Sequence, residues 1–190
     1  MSNWIIAGLG NPGSQYEHTR HNVGYWWLDQ LASELGQSFK TESRFNGQLI
    51  QFTTPEHKIW LVKPLTFMNR SGQSVSALAN FYKVPPENIL VIHDELDLPA
   101  GVARLKRGGG HGGHNGLRDI ISQLGSKEFL RCRIGIDHPG NSKQVADYVL
   151  SKPSAVDREN IMASIDNSRR VLPDVLAGNL EKAMNWLHSQ

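Results

Sequence analysis

The sequence predicts an α/β protein: a single domain over residues 1–190, with one mixed, mainly parallel sheet, helices on both faces and a helical C-terminal tail. Apolar runs of strand length alternate with segments of helical periodicity, which is the pattern of a sheet covered by helices. Hydrophobic residues make up 39% and charged residues 20% of 190 residues, an ordinary composition for one domain with its own core. Beyond Ser142 we predict only helices.

The first half of the chain contains three predicted strands and two helices. Residues 4–9 form a short apolar run that ends in glycines, which predicts a buried strand. Val23–Leu35 has apolar residues at helical spacing and stops at Gly36, so we predict a helix there. Residues 48–53 and 58–62 predict paired strands, and residues 71–82 a second amphipathic helix.

The second half continues the alternation and then becomes helical. Residues 89–92, 102–106 and 131–136 predict strands, and residues 117–124 predict a helix opened by a glycine-rich loop. The last helix covers about 179–188. Strands that alternate with helices imply an open, mainly parallel sheet, and no repeat or linker interrupts this order.

Four polar segments follow apolar strands. They cover residues 10–22, 64–70, 93–97 and 108–115, and they hold most of the histidines and several asparagines. Open α/β sheets bind ligands outside the carboxyl ends of their strands, so we expect these segments to meet at one site.

Two glycine-rich stretches invite a nucleotide interpretation. Residues 8–13 match G-x-G-x-x-G after a strand, but the polar sequence that follows has no helical periodicity, and the helix begins only near Val23. We therefore favour a tight turn that lets Asn11 face the cleft. Residues 108–116 hold six glycines in nine positions, which favours a mobile wall for an acyl or nucleotide group over a flexible linker or a phosphate cradle.

The candidate chemistry is hydrolysis by a base that activates water. No G-x-S-x-G motif is present, and the single cysteine, Cys132, lies in an apolar run that indicates a buried structural thiol. A histidine held by a carboxylate is the remaining base suited to neutral pH, and we predict that His21 and Asp94 form this catalytic pair. We predict that the enzyme needs no cofactor.

A metal-dependent phosphohydrolase is an alternative. Two H-x-x-H pairs and one His-Asp pair could chelate a metal, but they stand in loops or at a strand end, so we predict no metal site. The candidate ligands are His18, His21, His93, Asp94, His111 and His114.

Basic residues cluster in one window. Residues 100–133 contain seven Lys and Arg against two acidic residues, a net charge of +5 in a chain whose total is +2. Such a patch suits a polyanion that docks and leaves, so a non-catalytic RNA-binding module is a second alternative. The N-terminus lacks a basic n-region and a long apolar stretch, so we expect no membrane association and a cytoplasmic location.

Five stretches together resemble one family, the bacterial peptidyl-tRNA hydrolases. They are GLGNPGSQYEHTRHNVG at 8–24, KPLTFMNRSG at 63–72, HDELDLPAG at 93–101, GGGHGGHNGLRDI at 108–120 and RIGIDHPG at 133–140. The resemblance is specific because it rests on the combination and its spacing. Asp137 departs from it: the family pattern has glycine here, and the aspartate puts a negative charge near the expected RNA surface.

The resemblance implies hydrolysis of the ester between the peptide and the 3′-terminal ribose of peptidyl-tRNA, by a cofactor-free monomer that serves translation by releasing tRNA for reuse and rescuing ribosomes. It implies that His21 is the general base and that Asp94 stabilises its base form. Asn69 and Asn115 would bind the substrate's terminal adenosine and acyl ends and help position water, and Asn11 would recognise the blocked α-amino group. Tyr16 and Phe67 would line the binding site.

Two basic residues are expected to hold the acceptor stem. Lys106 and Arg133 come from predicted neighbouring strands that flank the glycine-rich loop, and they could clamp a phosphate without reading sequence. Other cations of the window are expected to help or simply to be solvated; they are Arg104, Arg107, Arg118 and Arg131.

Overall fold

A computed structural model describes all 190 residues and contains one seven-stranded sheet. The strands lie in the order β2-β3-β4-β1-β5-β7-β6. The four central strands β4, β1, β5 and β7 run parallel, while the outer strands β2, β3 and β6 are antiparallel to their neighbours. The predicted mixed sheet is confirmed, with its parallel part confined to the centre. The strands are Ser2–Gly8 (β1), Lys40–Glu42 (β2), Gly47–Thr53 (β3), His57–Pro64 (β4), Ile89–Glu95 (β5), Ala103–Arg107 (β6) and Leu130–Gly135 (β7).

Helices cover both faces of the sheet, as predicted. Helices α2 and α3 pack on one face over a core of 16 buried residues, and the other face packs on α1 and the helices that follow residue 154 over a core of 28. Alternate residues of β1 serve the two cores, since Trp4 and Ile6 belong to one and Ile5 and Ala7 to the other. The helices are Val23–Leu35 (α1), Ser71–Tyr82 (α2), Asn115–Leu124 (α3), Val145–Val149 (α4), Ala155–Arg170 (α5), Leu172–Leu176 (α6) and Leu180–Leu187 (α7).

The predicted elements are all present, and the differences lie at their ends. Strand β5 continues through three polar residues to Glu95, because β7 pairs with it along that length. Strand β2 was not predicted: it is only three residues long and shows no apolar alternation. No helix is both long enough and apolar enough to cross a bilayer.

Helix α1 is held very close to the ends of β1 and β5. A Cβ atom on Gly24 would lie 2.3 Å from the Leu9 nitrogen and 2.6 Å from the Ile92 carbonyl oxygen, so only glycine fits at this position. This contact places the turn that precedes α1 directly beside the carboxyl end of β5.

Asp137 has a backbone conformation that glycine favours. Its φ is +67°, which gives a physical reason to expect glycine at this position. The Asp137 carboxylate accepts a hydrogen bond from the Ala100 N–H at 3.3 Å, so its negative charge is partly engaged with the backbone.

Candidate active site

Three segments bring His21, Asp94 and His114 together. His21 lies in a single 3₁₀ turn, Arg20–Asn22, just before α1. Asp94 is the penultimate residue of β5, and His114 is the N-cap of α3. The predicted pair therefore forms, and a third side chain joins it.

The hydrogen bonds of these side chains fix where their protons lie. His21 Nδ1–H donates to Asp94 Oδ2 at 2.7 Å, which leaves a lone pair on His21 Nε2. His114 Nδ1 accepts from the N–H groups of Gly116 (3.1 Å) and Leu117 (3.3 Å), so its proton is on Nε2, which donates to Asp94 Oδ1 at 2.8 Å. One carboxylate thus accepts a hydrogen bond from each of two histidines.

The electrostatics of the group favour a carboxylate beside a basic imidazole. Burial alone would raise the pKa of Asp94, but the two histidines outweigh it and hold this pKa far below its usual range. Burial disfavours the imidazolium of His21, but attraction to Asp94 and the hydrogen bond to it together are stronger, and the pKa of His21 is raised. Burial, assisted by His114, lowers the pKa of the neighbouring His93 to about 3, so that ring is neutral.

A cavity of about 300 Å³ opens beside His21 and Asp94. Its polar side includes His114 and Asn115, and its opposite wall is formed by α4 with Val145 and Val149. An adjoining cavity of about 370 Å³ is lined by Asn69 and Asn115 together with residues of α3. Asn115 therefore borders both cavities and links the predicted substrate-binding asparagines to the base.

Asn11 is buried, and its side-chain amide oxygen already accepts a hydrogen bond within the chain. Its Oδ1 accepts from the Met68 N–H at 2.7 Å, and its backbone exchanges two 2.9 Å hydrogen bonds with the side chain of Asn22. Asn11 lines a cleft of about 320 Å³ that includes neither His21 nor Asp94, so its role toward the substrate stays a prediction. The side-chain Nδ2 of Asn11, which is a donor, has no hydrogen-bond partner in the chain.

The two predicted aromatic residues contact each other at the surface. The ring centroids of Tyr16 and Phe67 are 6.3 Å apart in an edge-to-face arrangement, and Phe67 is 57% exposed. A side chain that exposed is not part of the core, so it is available to stack against a ligand.

Lys106 and Arg133 line one cavity of about 110 Å³ next to the glycine-rich loop. Their strands, β6 and β7, are neighbours as predicted. Arg133 is paired with Glu95 through a 2.9 Å contact between Nε and Oε1, which leaves its terminal nitrogens free of that bond.

His21, Asp94 and His114 also have the spacing of a metal site, because one ligand atom from each lies within 4.8 Å of the others. The donor set does not suit a metal. Coordination by His114 Nε2 would require a proton on Nδ1, where the N–H groups of Gly116 and Leu117 already point. Among the remaining candidates, His18 is exposed beside Glu17, and His111 Nδ1 accepts from the Gly113 N–H.

Two features of the site were not predicted as such. His114 was considered only as a metal ligand; it is the N-cap of α3, a role that the sequence did not signal because histidine is not a preferred N-cap residue. The α4 wall gave no signal in the sequence. Cys132 is buried as predicted, and burial raises the pKa of its thiol to about 12.

Comparisons with known proteins give matches over nearly the whole chain. Residues 5–190 match the family model described as peptidyl-tRNA hydrolase. A peptidyl-tRNA hydrolase of Coxiella burnetii is 56% identical over 97% of each chain, and one of Neisseria meningitidis is 53% identical over the whole of both chains. A crystal structure of the peptidyl-tRNA hydrolase from Acinetobacter baumannii superposes with a TM-score of 0.94 at 44% identity, covering 98% of this chain and 94% of that chain.

Proposed function

Because the chain belongs to the peptidyl-tRNA hydrolase family and hydrolyses peptidyl-tRNA, we propose that His21 is the general base of this reaction. The observation that carries the proposal is the 2.7 Å hydrogen bond from His21 Nδ1 to the buried Asp94 carboxylate. This bond leaves the lone pair on Nε2 for a water molecule and stabilises the imidazolium once the proton has moved.

The reaction begins when His21 Nε2 takes a proton from water as the water oxygen attacks the ester carbonyl. The bond between the acyl carbon and the ribose 3′ oxygen then breaks, and the imidazolium returns the proton to that oxygen. The products are a peptide with a free carboxyl group and tRNA with a free 3′ hydroxyl.

Asn69 and Asn115 are proposed to bind the terminal adenosine and acyl ends of the substrate and to help position water. Asn115 borders the cavity next to His21, and Asn69 lines the second cavity together with Asn115. Carboxamide N–H groups stabilise the negative charge that builds on the carbonyl oxygen. Tyr16 and Phe67 provide an exposed aromatic surface for the terminal nucleoside, which stacking binds independently of sequence.

Asn11 is proposed to sense the blocked α-amino group. Its Oδ1 is bonded to Met68, so the free Nδ2 is the group that faces a substrate, as a donor to the peptide carbonyl of a blocked amino acid. An unblocked aminoacyl ester has no such carbonyl and would leave this donor unpaired, which is the kind of difference that gives strong selectivity.

Lys106 and Arg133 are proposed to bind phosphates of the acceptor stem. They share one cavity, and His93, His111 and Gly112 line both this cavity and the one beside the base. Phosphate contacts suit an enzyme that acts on many tRNA species. We also propose that the protein is a cytoplasmic monomer, a location supported by its single buried cysteine, which forms no disulfide.

The decisive experiment uses N-acetyl-aminoacyl-tRNA and purified protein in EDTA, with release of free tRNA as the measurement. Wild-type turnover that persists in EDTA together with a large loss in His21→Ala supports the base mechanism. Loss of wild-type turnover on chelation, restored by added metal, would instead identify metal-dependent chemistry. Sedimentation of the same sample tests the monomer.

A further inference from the structure

Arg131 is a buried cation that the reaction scheme does not use. Its side chain lies on β7, is 2% exposed and packs over the Phe129 ring with 4.5 Å from Cζ to the ring centroid. It forms no ion pair. A buried guanidinium is costly unless it is well hydrogen-bonded, so its partners indicate what it is for.

The partners of Arg131 are mainly two consecutive carbonyl groups of the glycine-rich loop. Nη1 donates to the Gly110 carbonyl at 2.5 Å, and Nη2 donates to the Gly109 carbonyl at 2.6 Å. A third, longer bond of 3.3 Å joins Nη2 to the Lys127 carbonyl. The planar guanidinium thus grips the loop from one side with two parallel hydrogen bonds.

This grip determines the direction of two peptide N–H groups. In a trans peptide the N–H points opposite to the C=O of the same unit. Since the Gly109 and Gly110 carbonyls point toward Arg131, the N–H groups of Gly110 and His111 point away from it. No acceptor in the chain takes either N–H. Two adjacent N–H groups with a common direction are a recurrent anion-binding arrangement.

The ammonium of Lys106 packs against the same loop and shares a cavity with Gly110 and His111. A Cβ atom on Gly109 would be 2.8 Å from Lys106 Nζ, so the lysine packs directly against the loop, and Gly109 has a φ of +97° that also favours glycine. Lys106 has no ion-pair partner. The same cavity contains the carboxylates of Glu95 and Asp97, of which Glu95 is paired with Arg133.

We propose that the peptide N–H groups of Gly110 and His111 bind a phosphate of the substrate's RNA backbone beside Lys106, and that Arg131 is the positioning residue that turns them outward. This inference deepens the RNA site of the proposed function and rests on it. The glycines permit the loop conformation, and Arg131 selects it from the many that such a loop can adopt.

The direct test needs no variant, because backbone amide resonances report on the N–H groups themselves. A ¹⁵N-labelled sample is titrated with an unesterified acceptor-stem RNA hairpin carrying a 5′ phosphate, and separately with inorganic phosphate. We expect the RNA to shift the amides of Gly110 and His111 most within the loop, and inorganic phosphate to shift the same two amides less. Unchanged amides at saturating RNA would overturn the proposal.

Kinetics then test the role of Arg131. Arg131→Lys keeps the positive charge but loses the paired hydrogen bonds to the Gly109 and Gly110 carbonyls. KM for peptidyl-tRNA should therefore rise about tenfold, which corresponds to the free energy of one lost hydrogen bond to a charged group. Turnover should change little, because His114 is held separately by Asp94 and the cap of α3. A short N-acetyl-aminoacyl ester without the acceptor stem should be unaffected.

Arg107→Met is the matched control. It removes a cation that is next to Lys106 in the sequence, but the Arg107 guanidinium contacts the Glu87 carbonyl and not the loop. This variant should have a KM within about twofold of the wild-type value, because an exposed charge at the edge of a binding surface contributes only a few tenths of a kcal/mol, about twofold in affinity. If neutralising Lys106 and Arg133 raises KM while Arg131→Lys does not, this inference is wrong and the proposed RNA site stands. If neither change raises KM, the proposed RNA site is wrong as well.

Discussion

Asp94→Asn tests the proton arrangement of the active site. The carboxylate accepts from both His21 and His114, but a carboxamide has one accepting oxygen and one donating NH₂ group. His114 must go on donating through Nε2, because its Nδ1 accepts from two backbone N–H groups. The oxygen of the new carboxamide therefore turns to His114, and its NH₂ group forces the proton of His21 onto Nε2, the nitrogen that has to accept a proton from water.

The magnitude follows from the cost of reversing that arrangement. A carboxamide flipped to the other orientation restores the correct form of His21 only if His114 moves its proton to Nδ1. That change removes the N-cap of α3, at about 1 kcal/mol, and leaves donors facing each other, at about 1–3 kcal/mol. A total of about 2–4 kcal/mol predicts that turnover falls by about 30- to 1,000-fold.

The assay is release of tRNA from N-acetyl-aminoacyl-tRNA as a function of pH. Asp94 raises the pKa of His21, so the base form is available only above that raised value. Without the carboxylate the pKa falls, and the acidic limb of the pH–rate profile should move to lower pH. Thermal unfolding of each variant confirms that it is folded.

A double variant separates this reasoning from a general loss of charge. His114→Asn keeps a residue that caps helices but no longer competes for the side chain at position 94. In Asp94→Asn/His114→Asn the amide oxygen of residue 94 is free to turn to His21. Turnover should therefore be about tenfold higher than in Asp94→Asn alone, which corresponds to an activation free energy lower by about 1.4 kcal/mol. Wild-type turnover in Asp94→Asn, or a double variant no more active than the single one, would refute the argument.

The remaining predictions concern the base, the RNA contacts and the selectivity. His21→Ala should lower turnover by about 10²–10⁴ while KM changes little; a filter-binding assay that shows lost substrate binding instead would contradict the role of base. Neutralising Lys106 and Arg133 together should raise KM and reduce the slope of log affinity against log salt by about one to two units, with a short ester as the control that must not respond. Asn11→Ala should narrow the preference for N-acetyl-aminoacyl-tRNA over aminoacyl-tRNA and also lower stability by about 1–3 kcal/mol through the unpaired Met68 N–H; unchanged discrimination would remove Asn11 from that role.

The sequence by itself determined the secondary-structure elements and the two residues at the centre of the site. Helical periodicity followed by Gly36 located α1, and the polar segments after apolar strands predicted that His21 and Asp94 would meet although 73 positions separate them. These predictions succeeded because a repeat of apolar residues fixes which face is buried, and because parallel strands align their carboxyl ends at one edge of the sheet.

Only the tertiary structure decided how the polar groups share their hydrogen bonds. It made His114 a second donor to Asp94, committed the Asn11 oxygen to Met68 and buried Arg131 under the glycine-rich loop, where the sequence left it a helper or a solvated cation. Hydrogen bonds depend on distance and direction between groups from separate segments, and no local pattern of residue types encodes these directions. The tautomer of His114 is therefore a property of the fold, since it depends on where two backbone N–H groups of α3 point.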